Sequence, residues 1–118
     1  MDKKKILICD DEEGIRESLK LILEEHYDLI LTKNGNEAIN HLKNNNVDLL
    51  ILDIKMPVIN GFDTLREIRK LKPGLKVIIA TGYKSVETAK EAQKLGATDY
   101  LVKPFNSVEV LQSIEKII

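Results

Sequence analysis

The sequence predicts an α/β domain in which a five-stranded parallel sheet is covered on both faces by five helices. The first sign is the stretch from Val47 to Pro57, where Leu49-Leu50-Ile51-Leu52 runs apolar without a break, meets Asp53, and is soon stopped by Pro57. A half-exposed strand alternates apolar and polar residues, whereas an unbroken apolar run ended by a breaker is the pattern of a parallel strand buried on both faces. The second sign is that strand-like and helix-like segments alternate along the whole chain. Parallel strands require crossover connections, which are almost always right-handed and cover the sheet with helices. At 118 residues the chain is expected to form one domain, 1–118, long enough for a real core and too short for two.

The elements follow in order. Ile6 to Cys9 is the first strand, ending at Asp10-Asp11. Ile15, Leu19, Ile22 and Leu23 recur at the spacing of one helix face. Asp28 to Leu31 is a short strand, Asn34-Gly35-Asn36 a turn, and Ala38, Ile39 and Leu42 the inner face of a second helix that ends in Asn44-Asn45-Asn46. After the strand that leads to Asp53, a loop with Pro57 and Gly61 opens a third helix carrying Phe62, Leu65, Ile68 and Leu71, which Pro73-Gly74 ends. Val77 to Ala80 is the fourth strand, stopping at Thr81-Gly82. The fourth helix, Ser85 to Leu95, is expected to turn Val86, Ala89, Ala92 and Leu95 inward, with Ser85 as N-cap and Gly96 as C-cap. Tyr100 to Val102 is the last strand, and Val108, Leu111, Ile114 and Ile118 mark the fifth helix.

Composition removes several classes of function. Lysine and arginine total 18 against 19 aspartates and glutamates, so nothing points to direct nucleic-acid binding or to a membrane surface. The single Cys9 excludes an internal disulfide and multi-cysteine metal motifs, and its apolar neighbours suit a small buried side chain in a reducing, cytoplasmic setting. The apolar run after Lys3-Lys4-Lys5 is too short for a signal peptide or a membrane helix.

The chemistry appears when the strand ends are aligned. Asp10 and Asp11 end the first strand, Asp53 the third, Thr81 the fourth and Lys103 the fifth, all on the carboxyl edge where open α/β sheets bind ligands. One of Asp10 and Asp11 is also placed to help cap the first helix. Carboxylates at roughly 4 Å repel by about 4 kcal/mol per pair at an effective dielectric near 20. Lys103 supplies one compensating charge, and a hard divalent cation such as magnesium, which takes oxygen ligands from a few carboxylates, waters and a phosphate, is the natural complement.

Ile-Cys-Asp-Asp-Glu at 8–12, Leu-Asp-Ile-Lys-Met-Pro at 52–57 with Gly61, Ala-Thr-Gly at 80–82 and Asp-Tyr-Leu-Val-Lys-Pro-Phe at 99–105 resemble the receiver domain of two-component response regulators, over nearly the whole chain. Ser85 to Ala89, Lys94 to Ala97 and Asp99 to Leu101 are similar to receivers of the nitrogen-regulator type, which are usually joined to ATPase and DNA-binding domains. The resemblance implies the flavodoxin-like, doubly wound strand order 2-1-3-4-5, an order that general rules already associate with a chemotaxis receiver. It also implies that Asp53 accepts a phosphoryl group from a phosphohistidine on a sensor histidine kinase or phosphotransfer protein. Magnesium would be held by Asp10, Asp11, Asp53 and the backbone carbonyl of Lys55. Lys103 would pair with the phosphate, Thr81 would reach its oxygen, and Tyr100 would turn into the space Thr81 leaves. The readout would be a surface of helix 4, strand 5 and helix 5, able to support a homodimer. Lys55 and Tyr83 would tune how water reaches the acyl phosphate, which Gly82 leaves open to approach. The Lys103-Pro104 peptide is expected to be cis, a form that is cheap only before proline. Such a domain is no enzyme in the ordinary sense, since it catalyses only its own phosphorylation and dephosphorylation.

Rivals from other classes fit less well. An aspartate phosphatase is similar to an Asp-x-Asp pattern, and position 55 is lysine. A flavin-binding module needs a glycine- and hydroxyl-rich first loop, where Asp10-Asp11-Glu12-Glu13 would repel a phosphate. A receiver that only binds partners would have no need of all these chemical residues.

Overall fold

The computed structural model describes residues 3–54, 61–82 and 85–118. Strands and helices alternate as β1 (Lys5–Cys9), α1 (Glu13–Leu23), β2 (Asp28–Thr32), α2 (Gly35–Asn44), β3 (Leu49–Leu52), α3 (Gly61–Leu71), β4 (Lys76–Thr81), α4 (Val86–Lys94), β5 (Asp99–Val102) and α5 (Ser107–Ile117). The strands are all parallel in the order β2-β1-β3-β4-β5, as the resemblance implied.

The unbroken apolar runs are explained by two cores. Side chains alternate across a strand, so Leu7, Leu50, Leu52, Val77 and Ile79 enter one core with Ala38, Leu42, Leu65, Ile68 and Ala92 from α2, α3 and α4. Ile6, Ile8, Leu49, Ile51, Ile78 and Ala80 enter the other with Leu19, Leu23, Val110 and Ile114 from α1 and α5. Each of the central strands β1, β3 and β4 must therefore be apolar at both parities. Cys9 belongs to the first core and is fully buried; burial, partly offset by its hydrogen bond with Thr32, pushes the thiol up to about 12.

Four inward assignments are corrected. Leu71 and Val108 stand at the surface, 39% and 59% exposed. In α4, Val86 is 66% exposed and Ala89 also faces out, while Thr88 and Ala92 are buried and Leu95 is half-buried. The reason lies at the helix start, where the Ser85 hydroxyl donates to Thr88 Oγ1 at 2.8 Å and accepts from the Thr88 N–H at 3.0 Å. With its hydroxyl satisfied, Thr88 can enter the interior, and the inward stripe runs 88-92-95 instead of 86-89-92-95, with Ala92 and Leu95 where they were expected.

The far end of α4 is held by polar contacts. Leu95 is the C-cap, and Gly96 follows at φ 80°, a conformation in which glycine pays no Cβ penalty. Arg69 on α3 donates from Nε to the Leu95 carbonyl at 2.9 Å and from Nη2 to the Gly96 carbonyl at 2.7 Å, while Nη1 reaches the carbonyls of Pro73 and Leu75. One guanidinium thus satisfies terminal carbonyls that α4 cannot pair within itself. Replacing it (Arg69→Ala) is expected to lower the unfolding free energy by about 2 kcal/mol, because several carbonyls lose a charged donor, and Arg69→Lys should recover only part, since an ammonium cannot fork. Urea unfolding measures both; an unchanged midpoint in Arg69→Ala would contradict this role.

Candidate functional site

The sheet delivers the chemistry to one edge by extending its ladder past the strand ends. The Asp53 N–H donates to the Cys9 carbonyl at 3.0 Å, the Asp10 N–H to the Thr32 carbonyl at 3.1 Å, and the Lys103 N–H to the Thr81 carbonyl at 2.8 Å. Asp10, Asp53 and Thr81 are buried, at 2%, 3% and 0% exposure. Gly61 fixes the chain just beyond Asp53: its N–H donates to the Ile54 carbonyl at 2.8 Å, and a Cβ there would lie 2.1 Å from Ile54 Cα and 2.7 Å from the Asp53 carbonyl oxygen. Only glycine lets α3 begin so close to that backbone.

At the centre stands the Lys103 ammonium, 2.9 Å from Asp10 Oδ2, 3.2 Å from Asp53 Oδ2 and 3.4 Å from Glu12 Oε1. The Lys103–Pro104 peptide is cis. Asp10 Oδ1 accepts the Glu12 N–H at 2.9 Å, and Glu12, the residue preceding α1, makes no side-chain cap. Asp10 thus contributes one side-chain oxygen to the start of α1, while its other oxygen faces Lys103. Arg16 closes the loop, its guanidinium donating to the Asp10 carbonyl at 2.9 Å and its N–H to the Glu12 carbonyl at 3.1 Å.

Charge in this site is out of balance. Asp10, Asp11, Glu12 and Asp53 each offer an oxygen, all within 4.8 Å of one another. Burial raises the Asp10 carboxyl above its ordinary 3.8, and the Lys103 ammonium and the Glu12 N–H offset only part of that. Burial opposes the charge on Lys103 as well, yet the bonds and charges of Asp10 and Asp53 prevail, and it titrates above its ordinary 10.5. A cluster of carboxylate oxygens in excess of positive charge suits a hard divalent cation, to which Asp10, Asp11 and Asp53 would offer oxygens.

Comparison with known proteins places this arrangement in a family. The profile of the response regulator receiver domain matches residues 6–115. The chemotaxis protein CheY of Thermotoga maritima is 35% identical over 116 residues, spanning 97% of either chain. The chain belongs to the response regulator receiver domain family.

Other receivers agree. The transcriptional regulatory protein ZraR of Escherichia coli is 37% identical over 98% of this chain, which spans only 26% of that regulator's length. Among solved structures, a CheY-like receiver from Methanospirillum hungatei superimposes with a TM-score of 0.93 at 36% identity, covering 98% of this chain and 93% of the other. The regulator TrrA of Thermotoga maritima, captured with magnesium and beryllofluoride, is 40% identical with a TM-score of 0.87, covering 98% of this chain and 99% of the other.

Of the residues singled out from sequence, the receiver fold brings Asp10, Asp11, Asp53 and Lys103 together. Thr81 ends β4, and Tyr100 pairs with Ile79 two residues earlier, so Thr81 and Tyr100 share the sheet face under α4 by strand alternation. Tyr100 packs against the core that holds Ala92; burial, with a smaller effect of the Asp53 charge, pushes its phenol up. Lys55 and Tyr83 lie outside the described residues. Glu12 was not singled out, although its place directly after Asp10-Asp11 was a usable signal. Among the described residues no helix is long and apolar enough to cross a membrane.

The imbalance predicts a pH dependence. With its folded pKa above 3.8, the Asp10 carboxylate weakens the metal-free fold at pH values above that raised pKa. The penalty fades as pH falls toward 3.8, below which Asp10 is protonated in both states. Asp10→Asn should therefore melt at a higher temperature than the parent at pH 7 in chelator, and the gain should vanish as pH approaches 3.8. Calorimetric melting across pH checks this, and a lower melting temperature at pH 7 would contradict it.

Proposed function

We propose that this receiver takes a phosphoryl group onto Asp53 from a phosphohistidine of a sensor histidine kinase or phosphotransfer protein. The observation that carries the reading is Lys103, whose ammonium lies 3.2 Å from the buried Asp53 carboxylate and 2.9 Å from that of Asp10. An Asp53 carboxylate oxygen attacks phosphorus in line, the P–N bond to the donor imidazole breaks, and the product is an acyl phosphate. Lys103 holds the carboxylate in place and then pairs with the phosphoryl oxygens. Such transfers depend on positioning and on neutralising the equatorial oxygens more than on covalent help from the protein. Asp10, Asp11, Asp53 and the backbone carbonyl of Lys55 would hold a magnesium ion, which supplies the remaining positive charge. Their oxygen chemistry fits that ion, and TrrA supports it as a relative captured with magnesium. Hydrolysis returns the carboxylate, so the domain catalyses only its own phosphorylation and dephosphorylation, in the cytoplasm.

The readout follows from Thr81. Its hydroxyl would hydrogen-bond the phosphoryl group, and Tyr100 would turn into the space it leaves. A charge-assisted hydrogen bond of about 1.5–3 kcal/mol shifts a two-state element by about one to two powers of ten. Helix α4 suits that role because Thr88 and Ala92 are its only fully buried described residues and Val86 and Ala89 face solvent. The changed surface of α4, β5 and α5 would then support a homodimer or partner docking, without direct nucleic-acid or membrane binding by this domain.

Incubation with acetyl phosphate and magnesium, followed by mass spectrometry, should place one adduct on Asp53 and none in Asp53→Asn. Label retained by that variant would contradict the assignment. Amide exchange with and without beryllofluoride is expected to change across α4 and β5 in the parent and far less in Thr81→Ala; changes confined to α2 and α3 would show that the signal leaves by another face.

A further inference from the structure

We infer that Glu12 is a positioning residue that holds the Lys103 donor an incoming phosphoryl oxygen must take, and so restrains phosphorylation. The inference rests on the reading of Asp53 as phosphoacceptor. A lysine ammonium has three donors, and Lys103 meets three carboxylates, from Asp10, Asp53 and Glu12, at 2.9, 3.2 and 3.4 Å. The unmodified site thus satisfies the ammonium completely, and a phosphoryl oxygen on Asp53 can be met only if one contact is released. Glu12 is the one to yield. Its contact is the longest, and its side chain is 61% exposed against 3% for either aspartate, so water replaces what it loses. The buried aspartates have no such substitute.

Glu12 does not reach Lys103 by chance, because its backbone is fixed on both sides. Its N–H donates to Asp10 Oδ1 at 2.9 Å, and its carbonyl accepts from the Arg16 N–H at 3.1 Å. Arg16 in turn binds the Asp10 carbonyl at 2.9 Å. The loop therefore carries the carboxylate back over the edge of the sheet. There it does two things that oppose phosphorylation: it occupies a Lys103 donor, and its charge repels an anionic phosphoryl donor. Both act before the chemical step.

The test is Glu12→Gln, which keeps the shape and removes the charge, beside Glu12→Ala, which also removes the contact. Phosphorylation by acetyl phosphate is followed at saturating magnesium, with beryllofluoride affinity measured separately by calorimetry. An exposed ion pair is worth roughly a two- to fivefold effect. Both variants should lower the KM for acetyl phosphate and tighten beryllofluoride by about that factor, with kcat unchanged. An unchanged or raised KM would overturn the inference, as would slower labelling with weakened magnesium binding, which would make Glu12 a metal ligand instead. Those results leave Asp53 as phosphoacceptor intact, whereas absence of label in the parent protein would remove that reading and this inference with it.

Discussion

The contact between the Lys103 ammonium and the buried carboxylates of Asp10 and Asp53 is the constraint around which the rest of this domain is arranged. Two buried acids side by side repel strongly in a medium of low dielectric, and a buried charge persists only when paired and hydrogen-bonded. Three strands meet that demand by carrying their ladder hydrogen bonds one residue beyond their ends, so that each charged group starts from a fixed backbone. Parallel strands buried on both faces provide the rigidity, and their apolar runs are the sequence consequence. Lys103 meets three carboxylates with one charge, and the negative charge left over is what a bound cation would offset.

The two ends of α4 are fastened unequally, which bears on how a change at Asp53 could be read elsewhere. Arg69 ties the C-terminal end to α3 and to the loop after it, and Arg66 adds an exposed bridge to Glu91 at 2.9 Å. The N-terminal half, close in sequence to Thr81, offers the core only Thr88 and otherwise turns Val86 and Ala89 to water. Elements that move in switching come from the part of a fold with least buried apolar area. A helix held at one end and lightly packed at the other meets that description without weakening the sheet beneath it.

Much of this was legible in the chain. The run Leu49 to Leu52 ending on Asp53 identified the central strand, and lining up the strand ends brought Asp10, Asp11, Thr81 and Lys103 to the same edge, because alternation of strand and helix leaves little freedom in where the carboxyl ends lie. Strand order was not legible from periodicity, since the apolar pattern of a strand says that both faces are covered and nothing about its neighbours. The inner face of α4 was misread because hydrophobicity favours Val86, while the buried position goes to Thr88, whose hydroxyl is paired by Ser85. Val108 and Leu71 erred in the same way, as apolar residues at helix ends that the core does not reach. The place of Glu12 is not legible in the same way, because it lies beyond the end of β1 and only the folded loop turns it toward Lys103.

If the carboxylates at the sheet edge exceed what Lys103 can satisfy, a hard divalent cation must bind there before any phosphoryl donor arrives. The most direct measurement is a magnesium titration of the unphosphorylated protein followed by amide nitrogen and proton NMR shifts. A single saturable transition is expected, with the largest shifts at Asp10, Asp11, Glu12, Asp53 and Lys103, and its loss in Asp11→Asn. Shifts that never saturate, or that are largest away from this edge, would contradict the charge imbalance on which the function proposed for this receiver depends.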